Sequence, residues 1–162
     1  MLIVFCAEIE EAQNIKCPEA KIIITGAGLC NVIQTPRIIV NPGDTLINIG
    51  YAGSNLFPIG TVKAVNRCRR LTPSSTIEER ELILKTKFGA IVGCYTADDF
   101  TEQSTKDIPL VDMELYYLAS IYPQMESIKI VSDNLNYKDY KTQDLSTCWD
   151  YINNTLNNLC KK

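Results

Sequence analysis

The chain has 162 residues, of which 46% are apolar and 22% charged, a composition typical of a globular protein rather than a disordered one. Its length fits one domain spanning residues 1–162, which needs neither a metal nor a disulfide to hold its core. The sequence contains no histidine, which excludes Ser-His and Cys-His catalytic pairs and zinc sites with imidazole ligands. Any acid–base chemistry must therefore come from carboxylates, lysine, tyrosine, cysteine or water.

The net charge of −3 argues against binding to nucleic-acid duplexes, whose affinity depends on basic contacts to phosphate. No apolar stretch approaches the roughly 20 residues of a membrane span. The first six residues lack a basic region and are followed by an acidic cluster, so we do not expect a signal peptide. The seven cysteines are odd in number and contain no Cys-x-x-Cys pair, which favours a reducing cytoplasm. Cys6 and Cys94 lie in apolar runs and are predicted core residues.

Short apolar runs alternate with longer segments of helical period, which is typical of an α/β fold. Strands are predicted at residues 2–6, 21–25, 45–49, 59–65, 90–95 and 127–131. Helices are predicted at residues 8–15, from Leu29 to Pro36, and at residues 112–121. Residues 76–85 fit neither period.

The last helix has the clearest pattern. One apolar stripe at helical spacing is formed by Leu145, Cys148, Trp149, Ile152, Leu156, Leu159 and Cys160. We interpret this stripe as a face that packs against the core.

Polar or glycine-rich segments follow several predicted strands, at residues 26–28, 50–54, 98–99 and 132–133. Each segment alone is typical of an ordinary turn or helix cap. In open α/β sheets, however, ligands bind outside the carboxyl ends of the strands. The four segments together therefore predict one shared cleft.

Three of these runs resemble, in the same order, the signatures of the purine nucleoside phosphorylase / nucleosidase superfamily. They are Ile-Asn-Ile-Gly-Tyr-Ala-Gly at 47–53, Val-Asp-Met-Glu at 111–114 and Ile-Val-Ser-Asp at 130–133. The likeness is greatest to methylthioadenosine/S-adenosylhomocysteine nucleosidases, through the acidic cluster at 7–11, the glycine turn at 24–28 and Asp-Asp-Phe at 98–100. It implies a three-layer α/β fold, with a mixed central sheet flanked by helices, in a form shorter than is usual for the family.

The resemblance implies two catalytic carboxyl groups. Glu11 corresponds to the acid that orients the attacking water, with Glu10 as a competing register. Asp133 corresponds to the aspartate that protonates N7 of the purine, and Ser132 would help to place the base.

The same resemblance implies a set of substrate-binding residues. Glu114 would hold the ribose hydroxyls, Met113 would pack against the sugar, and Phe100 would stack on the purine. The ribose and nucleophile side of the cleft would be lined by Gly26, Gly28, Gly50 and Gly53. Tyr51 stands where nucleosidases usually have serine, so its ring would fill or reshape the nucleophile site.

These residue types suit cleavage of an N-ribosidic bond, which builds positive charge on the sugar and negative charge on the departing base. A carboxylic acid can protonate the base, and a second carboxylate can activate water on the opposite face of the sugar. A third can bind the ribose hydroxyls through charge-assisted hydrogen bonds. None of these roles requires a metal or a cofactor, and none is expected.

Three functions remain open from the sequence. The first is a purine nucleosidase that hydrolyses its substrate. The second is a phosphorylase, for which Arg37 and the basic run at residues 67–70 are possible phosphate ligands, although Asn48 stands where many phosphorylases have arginine. The third is a catalytically inactive module that binds nucleosides or another protein. The resemblance also implies a homodimer, and a small purine nucleoside as the partner molecule.

Overall fold

The computed structural model describes residues 1–72, 77–89, 91–100, 108–140 and 142–161. Within these ranges the chain forms eight strands and four helices. In chain order they are β1 (Leu2–Cys6), α1 (Ile9–Gln13), β2 (Ala20–Ile24), α2 (Leu29–Gln34), β3 (Thr45–Gly53), β4 (Val62–Leu71), β5 (Ile77–Ile83), β6 (Ile91–Ala97), β7 (Val111–Asp112), α3 (Leu115–Ile121), β8 (Glu126–Asp133) and α4 (Ser146–Cys160).

The strands form one mixed sheet, part of which closes on itself. β3 pairs in parallel with β8, β8 pairs antiparallel with β4, and β4 pairs in parallel with β6. β6 then pairs with β7, which returns to β3 through the pair Gly53 and Val111. β1 and β2 extend the sheet in parallel from β3, and β5 pairs antiparallel with β4. The predicted mixed α/β sheet flanked by helices is therefore confirmed.

Apolar side chains on the two faces of β3 belong to two separate core clusters, because successive side chains in a strand point to opposite faces. Leu46 and Ala52 join the cluster that includes α2, α3 and Cys94. Ile47 and Ile49 join the cluster beneath α4, which includes Cys6. Cys6 and Cys94 are both fully buried, as predicted. The apolar stripe of α4 also packs on the core, as its spacing predicts.

Several element boundaries differ from the sequence predictions, and three of these differences bear on the site or on the basic run. β3 continues to Gly53, so the glycine-rich segment 50–53 is strand rather than loop, because it pairs with β8 along its length. β4 runs to Leu71 and contains the whole basic run. The predicted helix at 112–121 begins only at Leu115, because Asp112 closes the sheet as part of β7 and its Oδ2 accepts the N–H of Leu115.

The longest described helix, α4, has 15 residues. No described helix combines the length and apolar character that would be needed to cross a membrane.

Candidate active site

A cavity of about 250 Å³ lies where several strands end. Its walls come from the last residues of β3 and β8, from β7, and from the segments that follow β1, β2, β6, β7 and β8. The shared cleft expected from the sequence is thus present. The predicted site residues that line it are Glu11, Tyr51, Gly53, Phe100, Met113, Glu114, Ser132 and Asp133.

Glu11 is held rigidly on the cavity wall, with 3% of its surface exposed. Its Oε2 accepts the backbone N–H groups of Ala7 at 2.8 Å and Glu8 at 3.0 Å, the latter as part of a capping box of α1. Its Oε1 accepts the N–H of Tyr51 at 2.8 Å. Burial raises the pKa of Glu11, although these hydrogen bonds act in the opposite direction. The competing candidate, Glu10, is exposed and does not line the cavity.

Asp133 lies at the end of β8 and is 2% exposed. Its Oδ2 accepts the hydroxyl of Ser132 at 2.9 Å, and its Oδ1 accepts the N–H of Leu135 at 3.0 Å. Burial raises the pKa of Asp133, with the two hydrogen bonds opposing that shift. A Cβ at Gly53 would lie 2.7 Å from Oδ1 of Asp133, so the glycine makes room for this carboxyl group.

Glu114 follows β7 and is 5% exposed. Its Oε1 accepts the N–H of Gly28 at 3.3 Å. Burial and the negative charge of Asp112 raise the pKa of Glu114 to about 8. A carboxyl group in this state can both donate and accept hydrogen bonds near neutral pH.

A buried ion pair lies next to Glu114 and was not expected from the sequence. Nζ of Lys129, on β8, is 2.6 Å from Oδ2 of Asp112, and both side chains are almost completely buried. Oδ1 of Asp112 also accepts the hydroxyl of Thr96 at 2.6 Å. Burial lowers the pKa of Lys129, but the carboxylates of Asp112 and Glu114 raise it more, and the net direction is upward. Lys129 is therefore a cation inside the barrel, the closed part of the sheet formed by β3, β8, β4, β6 and β7.

Aromatic rings form the outer wall of the cavity. Phe100 packs edge-on against Tyr137 and Tyr140, with ring centroids 5.3 and 5.9 Å apart. The hydroxyl of Tyr140 donates to Oε2 of Glu8 at 3.1 Å. Tyr137 and Tyr140 were missed in the sequence, because they lie in a segment with no periodic pattern. Such a wall offers flat apolar surfaces to a planar ligand.

The side chain of Tyr51 lines the cavity but does not fill it. The hydroxyl of Tyr51 accepts the indole N–H of Trp149, on α4, at 3.1 Å. The ring also packs edge-on against Trp149 and Tyr140, with centroids 5.8 and 6.3 Å apart. Tyr51 therefore links α4 to the cavity.

Three predicted glycines, Gly26, Gly28 and Gly50, do not line the cavity. A Cβ at Gly50 would lie 2.7 Å from Oε1 of Glu11, so this glycine makes room for the carboxylate. Gly28 has a φ of +85° and donates its N–H to Glu114. Gly26, with a φ of +78°, packs against Asn31 of α2.

The candidate phosphate ligands lie elsewhere. No arginine is among the described residues that line the cavity. Arg69 pairs with Glu81 at 3.0 Å, and Arg70 pairs with Asp98 at 2.9 Å. Arg37 is exposed after α2. Asn48 is buried in the sheet, where its amide donates to the carbonyl of Phe5.

No protein-family model matches the chain, and no curated protein matches it by sequence. Solved structures do match, and they assign the chain the phosphorylase/nucleosidase fold. The 5′-methylthioadenosine/S-adenosylhomocysteine nucleosidase (MTAN) of Chlamydia trachomatis is 16% identical to this chain. Its TM-score is 0.76, over 99% of this chain and 96% of that one. Another structure of that protein, bound to adenine, has 15% identity and a TM-score of 0.67, over 98% and 94% of the chains.

A 5′-methylthioadenosine/S-adenosylhomocysteine nucleosidase from Helicobacter pylori is similar as well. It has 12% identity and a TM-score of 0.67, over 96% of this chain and 92% of that one. These likenesses establish the fold and confirm the predicted fold class.

We expect Glu114→Gln to stabilise the protein at pH 8 by about 4 kcal/mol, with a gain below about 1 kcal/mol at pH 5. Because the pKa of Glu114 is raised on folding, the folded state retains its proton between the ordinary pKa of glutamate and about 8. The unfolded state binds fewer protons in that window, so wild-type stability falls as pH rises through it. Glutamine does not ionise, so the stability of the variant does not fall in this way as pH rises. Urea unfolding of both proteins at the two pH values measures the difference.

Asp150→Asn, at an exposed position on α4, is the matched control and should change stability equally at both pH values. A gain from Glu114→Gln that is the same at pH 5 and pH 8 would show that the carboxyl group of Glu114 does not retain its proton on folding.

Proposed function

We propose that this protein is a purine nucleosidase that hydrolyses the N-ribosidic bond of a nucleoside, in the manner of methylthioadenosine/S-adenosylhomocysteine nucleosidases. The observation that carries the proposal is the set of three buried carboxyl groups, Glu11, Glu114 and Asp133, around one cavity. Their surroundings differ, which suits them to three different tasks.

Asp133 is the general acid in this proposal. Its raised pKa favours a proton on the carboxyl group, and that proton can pass to N7 of the departing purine. The hydroxyl of Ser132 and the N–H of Leu135 fix the orientation of the group. Proton transfer of this kind typically contributes 10²–10⁴-fold to the rate.

Glu11 is the base that orients and activates water. Three backbone N–H groups hold its carboxylate in one position, so it loses little conformational freedom in the transition state. Its raised pKa makes it a stronger base than an exposed glutamate. Oε1 accepts a single N–H and keeps a lone pair for a water molecule, whereas Oε2 already accepts two N–H groups.

Glu114 binds the ribose hydroxyls in this proposal, and the buried cation of Lys129 acts on its carboxyl group. The cation of Lys129 acts to lower the pKa of Glu114, and the carboxylate form of Glu114 can stabilise the positive charge that develops on the ring. Met113 lines the cavity beside Glu114 and offers an apolar surface to the sugar. Phe100 is available to stack on the base, in line with the aromatic wall around it.

Water is favoured over phosphate as the nucleophile. A phosphate ion needs cationic or N–H donors around it, and no described cavity-lining residue is an arginine or a lysine. Asn48 is engaged with the backbone of β1 and is not on the cavity surface. A phosphorylase would need cationic phosphate ligands that the described cavity lining does not contain.

The relatives of known structure support the substrate class, since those from Chlamydia trachomatis have been solved bound to MTA and to adenine. A single domain over residues 1–162, a cytoplasmic location and a homodimer complete the proposal. The homodimer is supported by Ile83 and Ile91, which expose 71% and 52% of their surface on β5 and β6.

The test is to incubate the protein with adenosine, inosine and methylthioadenosine, with and without phosphate, and to measure free base by chromatography. We expect release that does not depend on phosphate, and release at least about 100-fold slower from Asp133→Asn purified in parallel. Release only with phosphate would establish a phosphorylase instead. A shift in melting temperature without release would indicate a binding module.

A further inference from the structure

The segment after α1 is fixed against α4 on the side of the molecule away from the cavity. Asn153 of α4 makes two hydrogen bonds to it: its amide donates to the carbonyl of Asn14 at 2.9 Å, and its Oδ1 accepts the N–H of Lys16 at 2.7 Å. Cys160 lies seven residues beyond Asn153, two helical turns along the same face. The next residue of the segment, Cys17, therefore meets Cys160.

A compact cluster of ligand atoms results. Sγ of Cys17 lies 3.3 Å from Sγ of Cys160 and 3.8 Å from Oε2 of Glu19, and the three ligand atoms all lie within 4.8 Å of one another. The N–H of Ala20 donates to the carbonyl of Cys17 at 3.0 Å, which forms the turn that brings Glu19 back towards the sulfurs. Cys17 is 4% exposed, whereas Glu19 is exposed.

We propose that Cys17, Cys160 and Glu19 bind a thiophilic divalent cation of the zinc class. Zinc binds both thiolate and carboxylate ligands, and the exposed side of the cluster leaves the fourth tetrahedral position for water. None of the three residues lines the nucleoside cavity, so the site is independent of the proposed function.

The spacing favours a metal over a disulfide. A zinc ion with bonds of about 2.3 Å to each sulfur holds the two sulfurs about 3.8 Å apart, so they would separate by only about 0.5 Å. A disulfide of about 2.05 Å would need them to approach by more than about 1 Å. The carboxylate of Glu19 also has a role as a metal ligand, whereas it would do nothing for a disulfide.

Metal binding would join the end of α4 to the segment that leads into β2. Because α4 also carries Trp149, which binds the hydroxyl of Tyr51, the site would stabilise the layer that supports one cavity wall. A cation that binds only the folded chain raises the melting temperature by mass action.

The experiment is a titration of the full chain with Zn²⁺ by calorimetry, in the presence of a reductant that is not a thiol. We expect one equivalent to bind and the melting temperature to rise. Cys17→Ser and Cys160→Ser should each weaken binding at least about 100-fold, and Glu19→Gln about 10-fold. Cys30→Ser, at an exposed cysteine on α2, is the matched control and should bind as the wild type does.

Co²⁺ provides a readout of the ligands themselves, because thiolate ligands give it an intense charge-transfer absorption. This band should appear with the wild type and with Cys30→Ser and disappear with Cys160→Ser. Glu19→Gln changes an exposed side chain, so it tests the site even if Cys17→Ser fails to fold. Absence of stoichiometric binding, or binding that survives both cysteine substitutions, would overturn the proposal.

Discussion

Asp133→Asn is expected to lower kcat for purine release by about 10²–10⁴-fold while leaving the fold intact. Asparagine has nearly the same shape, and its amide can keep hydrogen bonds to Ser132 and Leu135 in place of those of the carboxyl group. It cannot deliver a proton to the departing base. The loss should therefore fall on kcat rather than on KM.

Steady-state kinetics on methylthioadenosine measure this loss, and circular dichroism checks the fold. A riboside with a nitrophenolate leaving group, which departs without protonation, provides the sharper control. Asp133→Asn should retain most of its activity on that substrate. Equal loss on both substrates would mean that Asp133 has a structural role, and full activity on the nucleoside would remove it from the mechanism.

The strand-end positions of the site residues could be predicted from the sequence, because runs of buried strand end where polar residues begin. Asp133 follows such a run, and the structure puts it on the cavity wall. Glu114 also lines the cavity, but the spacing placed it in a helix at 112–121, and only the resemblance singled it out. The register between Glu10 and Glu11 could not be decided from spacing alone. It is decided by the capping box of α1 and by the space that Gly50 leaves for a carboxylate.

Other features depend on strand pairing that no local pattern encodes. Gly53 belongs to a strand rather than a loop, because β7 and β8 both pair with it. Lys129 stands between isoleucines in an otherwise buried run, and this was the one sequence signal for a buried cation. Its partner Asp112 lies on a two-residue strand that has no recognisable pattern. Cys17 and Cys160 are 143 positions apart and meet only in the folded chain.

Lys129→Met is expected to lower the free energy of unfolding by about 3–5 kcal/mol, the usual cost of removing one partner of a buried ion pair. Methionine matches the lysine stem in length, so packing is largely preserved. The substitution removes the only described cation within salt-bridge distance of Asp112, and Glu114 beside it loses the same compensation. The buried carboxylate of Asp112 is then left without a counter-charge, next to the carboxyl group of Glu114.

Urea unfolding at pH 7 measures the loss, with Lys21→Met at an exposed position on β2 as the matched control; that control should change stability by less than about 0.5 kcal/mol. The double substitution Lys129→Met with Asp112→Asn should be more stable than Lys129→Met alone, since it removes the orphaned carboxylate. A cost below about 1 kcal/mol for the single substitution would contradict the prediction. So would a double substitution no more stable than the single one, because Lys129 would then not compensate the buried charge of Asp112.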